Sequence, residues 1–480
     1  MGCKAPSGLP FLLIAAGLLA FTACVTPTGP ADPEKVFTPS GVQVSRELGV
    51  YAGERRVGDM HFTVREGSWE GREQVVELAE SVLLRLSFRG DTFTVRSNQT
   101  AWVQDGTRLL ASSGTMDFGA GVWETKAVLV GEGEYQRTQG TKGSVTRDRI
   151  SVPVGVMPSE VIPLYLHRWA GPTGERRDLK VFNMVLGQEL PLTVAFAGRE
   201  DDGRLFRVSY WGMEEKIWLD DEGMVAREEM AIGVQARPPG AGDAEGALAL
   251  ESVLTQTAVP ASGIPEDLGR RGKAVLVLEG SFREPPQGRW QEVRMEGDRA
   301  VVSLTRPLPP PEGRRAADGK MMPADALGLD LDSPRIRELA RQITGDLSDP
   351  WEKAAAVGRW VHERLGKSMR ECFSALQVLE AGEGECQSHS LLAVSLSRAA
   401  GVPARFAYGV VYMPERDAFL FHTWVEVHVG EWVPMDPTLG NFPAGVDHLT
   451  LAVGGYRDQF RLFPYIMGRG GWRVTMTGVP

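Results

Sequence analysis

The sequence predicts an α+β protein in which a large strand-rich region precedes a smaller region of helices packed on an antiparallel sheet. Residues 41–236 hold many short runs of alternating apolar and polar residues, separated by turns that contain Gly, Asp or Asn. Residues 326–455 hold apolar residues at helical spacing, followed by strands of strict alternation. The first region is therefore expected to form a curved antiparallel sheet or half-barrel.

Length and composition are typical of a globular protein with more than one domain. The chain has 480 residues, which corresponds to roughly two to three domains, and 42% of them are hydrophobic. The net charge is -10 and there is no basic stripe, so nucleic acid is not an expected partner. Four cysteines are too few for a disulfide scaffold.

The N-terminus resembles the leader of a bacterial lipoprotein. A short basic start precedes an apolar run over 11–20, and the sequence Phe-Thr-Ala follows and leads into Cys24. The resemblance implies a signal peptide over 1–23, then a lipidated Cys24 and a Pro-rich tether over 24–40. A plain secretory signal or an uncleaved anchor is the alternative. We expect a lipid-anchored protein on the periplasmic side of the bacterial cell envelope. Val25 stands where Asp would be expected for retention in the inner membrane, so by resemblance to enterobacterial lipoprotein sorting the outer membrane is favoured.

Shifts in composition divide the rest of the chain. The strand-rich domain is predicted to end at residue 236, where a Pro- and Gly-rich stretch begins. Residues 237–325 hold a few further strands and a stiff Pro-rich linker. The helix-and-strand core follows over 326–455, and 456–480 form a C-terminal extension. We expect the strand-rich domain to orient this core, with ligand binding and partner docking as open alternatives.

A cysteine at a predicted helix start is the first candidate functional residue. Cys386 follows Gly384-Glu385 and opens a segment of apolar residues at helical spacing, which ends before a Gly and a Pro. In a first helical turn, free backbone N–H groups and the helix dipole favour the thiolate and can hold an oxyanion. Cys386 is therefore predicted to be a nucleophile with a lowered pKa. Without partner groups it would be a small buried hydrophobe.

Two strands downstream supply candidate partner groups, His422 on the first and Asp436 on the second. A two-residue loop at 430–431 would place these two side chains on opposite faces of the sheet. A three-residue loop over 429–431, or one bulge, makes them diagonal neighbours on the same face. We predict the odd-numbered loop, which brings the imidazole and the carboxylate together.

These residues resemble the motifs of the transglutaminase-like superfamily, over roughly 330–448 of the chain. The four motifs are Gly384-Glu385-Cys386, Pro403-Ala404-Arg405, His422-Thr423-Trp424-Val425-Glu426 and Asp436-Pro437-Thr438. The resemblance implies a papain-like core with Cys386 as nucleophile, His422 as general base and then acid, and Asp436 as the group that orients the imidazole. Glu385 stands where the family commonly has Asp.

The reaction that the resemblance implies is acyl transfer through a thioester. The thiolate attacks a peptide or carboxamide carbonyl, an amine leaves, and water or a second amine captures the acyl group. Hydrolysis by a protease or amidase and transfer by a transglutaminase stay open. A catalytically inactive binding or scaffold lipoprotein is the alternative. Trp424 and Trp432 are candidate substrate-binding residues, and core packing is their alternative role. The expected partner is a protein or peptide substrate in the cell envelope, and no cofactor is expected.

Two alternatives involve other residues near the triad. His389 and His428 are candidate metal ligands together with His422, but no Cys or His pair has the compact spacing of zinc ligands, so no metal is expected. Cys372 precedes Cys386 by 14 residues, and a disulfide between them would block the nucleophile. A structural thiol is the expected state of Cys372.

Overall fold

The computed structural model describes most of the chain from residue 37 onward. The described ranges are 37–88, 91–117, 122–141, 144–185, 187–210, 213–230, 233–240, 242–250, 257–280, 282–310, 326–369, 372–462, 465–466 and 471–478. The predicted signal peptide and Cys24 lie outside the described residues, so their assignment stays a prediction. The chain divides into two compact units, the first ending at Glu251 and the second beginning at Ser252.

The N-terminal unit is built on a 17-stranded sheet and a short helix, α1 (Ile162–His167), which follows a 3-10 turn at Ser159–Val161. Its strands are β1 (Phe37–Ala52), β2 (Arg55–Trp69), β3 (Arg72–Phe88), β4 (Asp91–Gln104), β5 (Arg108–Asp117), β6 (Val122–Leu129), β7 (Glu134–Thr141), β8 (Ser144–Ser151), β9 (Met157–Pro158), β10 (Arg176–Asn183), β11 (Gln188–Glu200), β12 (Gly203–Tyr210), β13 (Met213–Leu219), β14 (Val225–Glu229), β15 (Val234–Arg237), β16 (Ala244–Glu245) and β17 (Leu248–Ala249).

These strands form two antiparallel meanders that share β1. One meander runs from β1 to β8, and the other runs from β10 to β15, which pairs with β1. Long strands twist and curl, and alternate side chains along them point to the concave side. In β3, for example, Val82, Leu84 and Leu86 are buried. The sheet is curved and nearly closed, which confirms the predicted half-barrel.

The C-terminal unit combines helices with a nine-stranded sheet. Its helices are α2 (Pro334–Thr344), α3 (Pro350–Arg364), α4 (Ala375–Ala381) and α5 (Cys386–Ala399), with 3-10 turns at Leu268–Arg270, Pro414–Arg416 and Tyr456–Leu462. Its strands are β18 (Val259–Ser262), β19 (Lys273–Gly280), β20 (Gln291–Glu296), β21 (Arg299–Thr305), β22 (Gly366–Lys367), β23 (Glu383–Gly384), β24 (Ala404–Met413), β25 (Ala418–His428), β26 (Trp432–Met435), β27 (His448–Gly454) and β28 (Trp472–Gly478). β22 and β23 form a separate parallel pair.

The strand order of this sheet is β20-β21-β19-β28-β18-β25-β24-β27, and β26 pairs with β25. Strands from the sequence-predicted connecting segment, 237–325, and from the predicted extension, 456–480, therefore belong to the same sheet as β25. Both segments thus contribute to one hydrogen-bonded layer rather than standing apart from it. β24 lies along one edge of β25, while β18 and β26 share the other edge.

Helix α5 is the central helix of the C-terminal unit. Every residue from Cys386 to Arg398 is buried, and the helix packs against β25 on one side and against α2 and α3 on others. A helix enclosed on all sides holds its end groups in fixed positions, which suits a site built at its first turn. The predicted α+β class is confirmed. Within the described ranges, each helix is too short or too polar to cross a membrane.

Candidate active site

The first turn of α5 begins at Cys386, as the sequence predicts, and Glu385 caps it. The Glu385 carboxylate accepts hydrogen bonds from the backbone N–H groups of Gln387 at 2.6 Å and Ser388 at 3.1 Å. A charged cap of this kind satisfies donors that the helix leaves open and interacts favourably with the helix dipole. The thiol of Cys386 donates to the other carboxylate oxygen of Glu385 at 2.8 Å.

The predicted lowering of the Cys386 pKa is wrong for this arrangement. Burial raises the pKa of the thiol well above its ordinary value, and the neighbouring Glu385 charge acts in the same direction. Burial also raises the pKa of Glu385 to about 7. The physical reason is local: the helical N–H groups at Gln387 and Ser388 already bind Glu385, so their positive charge stabilises a carboxylate rather than the thiolate.

The hairpin between β25 and β26 has the predicted odd-numbered loop. His428 pairs with Trp432, which leaves the three residues 429–431 in the turn, and Val425 pairs with Met435. This register carries Asp436 to the position across from residue 424, diagonal to His422. His422 Nε2 donates to Asp436 Oδ2 at 2.8 Å, and both side chains are fully buried.

The other oxygen of Asp436 is held by the turn that follows β26. Asp436 Oδ1 accepts from the backbone N–H groups of Thr438 at 2.7 Å and Leu439 at 3.0 Å. The Asp436 backbone also bridges to Asn441. The carboxylate is thus fixed by the backbone on one side, which leaves Oδ2 for imidazole groups.

A second histidine, His448, reaches the same oxygen, and the sequence analysis missed it. His448 Nε2 donates to Asp436 Oδ2 at 3.0 Å, and its Nδ1 donates to Asp447 Oδ1 at 2.9 Å. Burial opposes the charge of this imidazole, but Asp447 and Asp436 outweigh it and raise the pKa of His448 to about 10. Although burial also disfavours the Asp436 charge, His422 and His448 hold the pKa of its carboxyl far below the ordinary range. The site therefore contains a buried, alternating chain of charges.

His422 lies on β25, the strand that packs against helix α5, and its second ring nitrogen is not used by Asp436. Within the described residues, His422 Nδ1 is buried and has no hydrogen-bond partner. The next residue, Thr423, contacts α5 twice: its carbonyl accepts from Ser390 Oγ at 3.0 Å, and its backbone forms a hydrogen bond that lowers the pKa of Cys386. The thiol and the imidazole thus belong to adjacent positions of the helix–strand contact, and Nδ1 is available as a proton acceptor.

Trp424 and Trp432, the candidate substrate-binding residues, both line a cavity of about 340 Å³ in the C-terminal unit. Trp424 stacks on His422 at 6.1 Å between ring centroids and meets His448 edge-on at 5.1 Å. Trp432 lies under the Arg405 guanidinium at 4.0 Å. His448 lines the same cavity, so the two tryptophans wall a space that borders the buried charge chain.

The candidate metal ligands of the sequence analysis do not come together as a set. The described groups whose ligand atoms lie within 4.8 Å of one another are His422, Asp436 and His448, which the hydrogen bonds above connect. His389 instead places its Nδ1 2.9 Å from the carbonyl of Glu385. Cys372 and Cys386 are both buried and are not joined by a disulfide.

Residues 337–437 match the profile of the Transglutaminase-like superfamily. The matched segment contains Cys386, His422 and Asp436, so the C-terminal unit contains a transglutaminase-like domain, the fold of papain-like thiol enzymes. His448 and its partner Asp447 lie beyond the matched segment.

Two solved structures are similar to parts of the chain. A proposed cysteine protease from Cytophaga hutchinsonii is 15% identical, with 45% of this chain and 82% of that chain covered at a TM-score of 0.28. A proposed protease from Parabacteroides distasonis is 12% identical, with 79% and 68% covered at a TM-score of 0.19. At these scores the likeness carries no inference about activity. Among curated proteins, none matches the chain.

Proposed function

We propose that the protein is a thiol-dependent acyltransferase or hydrolase of peptide or carboxamide bonds. The observation that carries the proposal is the fixed His422–Asp436 pair at 2.8 Å, whose remaining imidazole nitrogen is buried without a described partner beside the helix that begins at Cys386. An imidazole held on one side by a carboxylate and open on the other is suited to accept a thiol proton.

The reaction begins when the Cys386 proton moves to His422 Nδ1 and the sulfur attacks the substrate carbonyl carbon. The tetrahedral intermediate collapses, the C–N bond breaks, and the departing amine takes the proton from His422, which leaves a thioester. Water or a second amine then attacks the thioester, gives a proton to His422, and releases the thiol. Asp436 stays ionised throughout and stabilises the imidazolium, in agreement with the lowered pKa of its carboxyl.

The proposed place of action is the bacterial cell envelope, with Cys24 lipidated and the substrate a protein or peptide of that compartment. Support comes from the sequence of the N-terminus alone. Incorporation of labelled palmitate into the wild-type protein and not into Cys24→Ala would bear this out. Equal incorporation, or none in the wild type, would contradict the lipid anchor without touching the proposed chemistry.

The decisive experiment compares incorporation of a labelled primary amine into envelope proteins with hydrolysis of peptides from the same extract. We expect one of the two activities in the wild type and none in Cys386→Ala. Cys372→Ala is the matched control, because it also removes one buried thiol from the same unit. Activity that survives in Cys386→Ala, or that is lost equally in Cys372→Ala, would refute Cys386 as the nucleophile.

A second candidate function is binding without catalysis. It is favoured by the Cys386 side chain, which is 0% exposed and whose pKa burial raises. A thiol in this state reacts slowly unless substrate binding opens the site. Labelling with iodoacetamide separates the two functions: an enzyme reacts at Cys386 while folded, with His422→Ala slower, whereas a binding protein reacts there only in denaturant.

A further inference from the structure

The N-terminal unit encloses a cavity of about 390 Å³ on the concave side of its sheet. Most of its lining is apolar, contributed by strands of both meanders and by α1. Representative lining residues are Phe62, Leu78, Leu164, Leu166, Ile217 and Leu219. Its volume and apolar lining are those of sites that take a small molecule with a hydrophobic body.

Five carboxyl groups line the cavity, and two of them, Glu80 and Glu228, interrupt its apolar part. Of the other three, Glu66 and Glu222 are exposed, and Glu160 accepts a hydrogen bond from Ser159 Oγ at 3.1 Å. Glu80 is 9% exposed and Glu228 is 7% exposed, and each lines the cavity. Burial raises the pKa of Glu80 well above its ordinary value, and the charge of Glu228 acts in the same direction, so the two carboxyls lie close enough to interact. Within the described part of the chain, neither carboxyl forms a hydrogen bond or an ion pair. The buried Glu215 is a third acid that interacts with Glu228, and its own Oε1 accepts a hydrogen bond from the Tyr210 hydroxyl at 2.6 Å.

A third polar side chain at the cavity also lacks a hydrogen-bond partner. Gln99 is 8% exposed and lines the cavity, and its Oε1 atom is buried with no hydrogen-bond partner among the described residues. Buried polar atoms in native proteins are normally hydrogen-bonded, and an unpartnered one costs about 1–3 kcal/mol. An unpartnered amide oxygen beside two unpaired carboxyl groups at one cavity is therefore better explained by a ligand than by packing.

The charges around the cavity define the chemistry of that ligand. Among the lining side chains, Arg168 is a cation, but its guanidinium donates to the backbone of Asp105 and is exposed. Burial and the charge of Arg204 lower the pKa of His167, which disfavours a charged imidazole beside the carboxyls. A ligand that supplies N–H donors and a positive charge would satisfy the carboxyl pair, and an apolar body would occupy the rest of the cavity.

We propose that this cavity is a binding site for an amphiphilic amine, with its ammonium group between Glu80 and Glu228 and its hydrocarbon part against the apolar lining. The proposal concerns a site in the N-terminal unit and is independent of the proposed acyl chemistry. Binding of a cation there would favour ionised carboxylates, so the affinity should rise with pH as Glu80 and Glu228 lose their protons. The neighbouring buried acids Glu215 and Glu160 also have raised pKa values and act in the same direction.

The test uses the full chain and two probes of equal length, decylamine and decanol, with calorimetry at pH 6 and pH 8. We expect decylamine to bind at least tenfold more tightly than decanol at pH 8, and its advantage to shrink at pH 6. Equal binding of the two probes would show a site for neutral amphiphiles, and absence of binding by both would show an empty cavity. Either outcome would overturn the proposal.

Substitutions of the lining glutamates test whether the ammonium group binds between Glu80 and Glu228. Glu80→Gln and Glu228→Gln should each reduce the decylamine affinity by about tenfold and leave the decanol affinity within a factor of two. Glu222→Gln is the matched control, because this carboxyl also lines the cavity but its side chain is 63% exposed and lies near Arg46. If a glutamate variant fails to fold, the comparison of the two probes at two pH values in the wild type still decides. The same measurements on Cys386→Ala should match the wild type.

Discussion

The two units bury carboxyl groups in opposite ways. In the C-terminal unit, two imidazoles and two backbone N–H groups surround Asp436 and keep it ionised. In the N-terminal unit, Glu80 and Glu228 face an apolar cavity and each other, and burial raises their pKa values. The carboxyl is therefore held as an anion where the chain supplies partners, and it keeps its proton more tightly than usual where the chain supplies none. The charge of a buried carboxyl group here depends on whether the chain provides hydrogen-bond or charge partners, and not on how deeply the group is buried.

The largest effect is expected from Asp436→Asn. The substitution leaves the cationic His448 buried with one carboxylate fewer, which we expect to cost about 3–5 kcal/mol of unfolding free energy. The proposed acyl transfer should fall about 10⁴-fold, since the imidazole of His422 loses the anion that sets its tautomer. Urea unfolding and single-turnover kinetics measure the two effects. Asp332→Asn, at an exposed ion pair, is the control and should change neither. A comparable loss in the control would contradict the role of the buried chain.

His448→Gln should have the next largest effect, and its pH dependence is distinctive. Because the pKa of His448 is raised to about 10, its stabilising contribution is fully present below its unfolded value near about 6.5 and is lost as the pH rises through about 10. We expect the variant to lose about 1.5–3 kcal/mol at pH 7 and to approach the wild type above pH 10. Chemical unfolding at both pH values measures this, with exposed His61→Gln as control. A deficit that persists unchanged above pH 10 would show a packing effect instead of an ion pair.

Glu228→Gln tests the other kind of buried carboxyl group, whose pKa is raised because the chain provides no partner. The pKa of this carboxyl is raised to about 7 by burial, so the native state holds its proton more tightly than the unfolded state does. Stability should therefore fall as the pH rises from about 4.3 to about 7. We expect Glu228→Gln to reduce this fall by about 1–3 kcal/mol, and Glu222→Gln to leave it as in the wild type. Thermal unfolding from pH 4 to pH 8 without ligand measures both, and an unchanged pH profile in Glu228→Gln would contradict a protonated buried acid.

Local patterns were sufficient for the parts of the site that lie close in sequence. Helical spacing placed Cys386 at a helix start, and strand parity required the three-residue loop that the structure has at 429–431. The role of His448 could not be predicted from the sequence, because its approach to Asp436 depends on the pairing of β27 with β24. The curved sheet could be predicted from short alternating runs, but its cavity could not, because Glu80 and Glu228 meet only when two separate meanders curl toward each other.

The smallest expected effect concerns Glu385, which stands between the two cases. Its carboxylate has backbone partners, as Asp436 has, yet burial raises its pKa to about 7. If its charge mainly disfavours the thiolate, Glu385→Gln keeps the helix cap and increases iodoacetamide labelling of Cys386 about three- to tenfold at pH 8. Glu380→Gln, an exposed carboxyl on α4, should label like the wild type. Slower labelling in Glu385→Gln would show instead that this carboxylate accepts the thiol proton, a role that His422 would then take over only once substrate is bound.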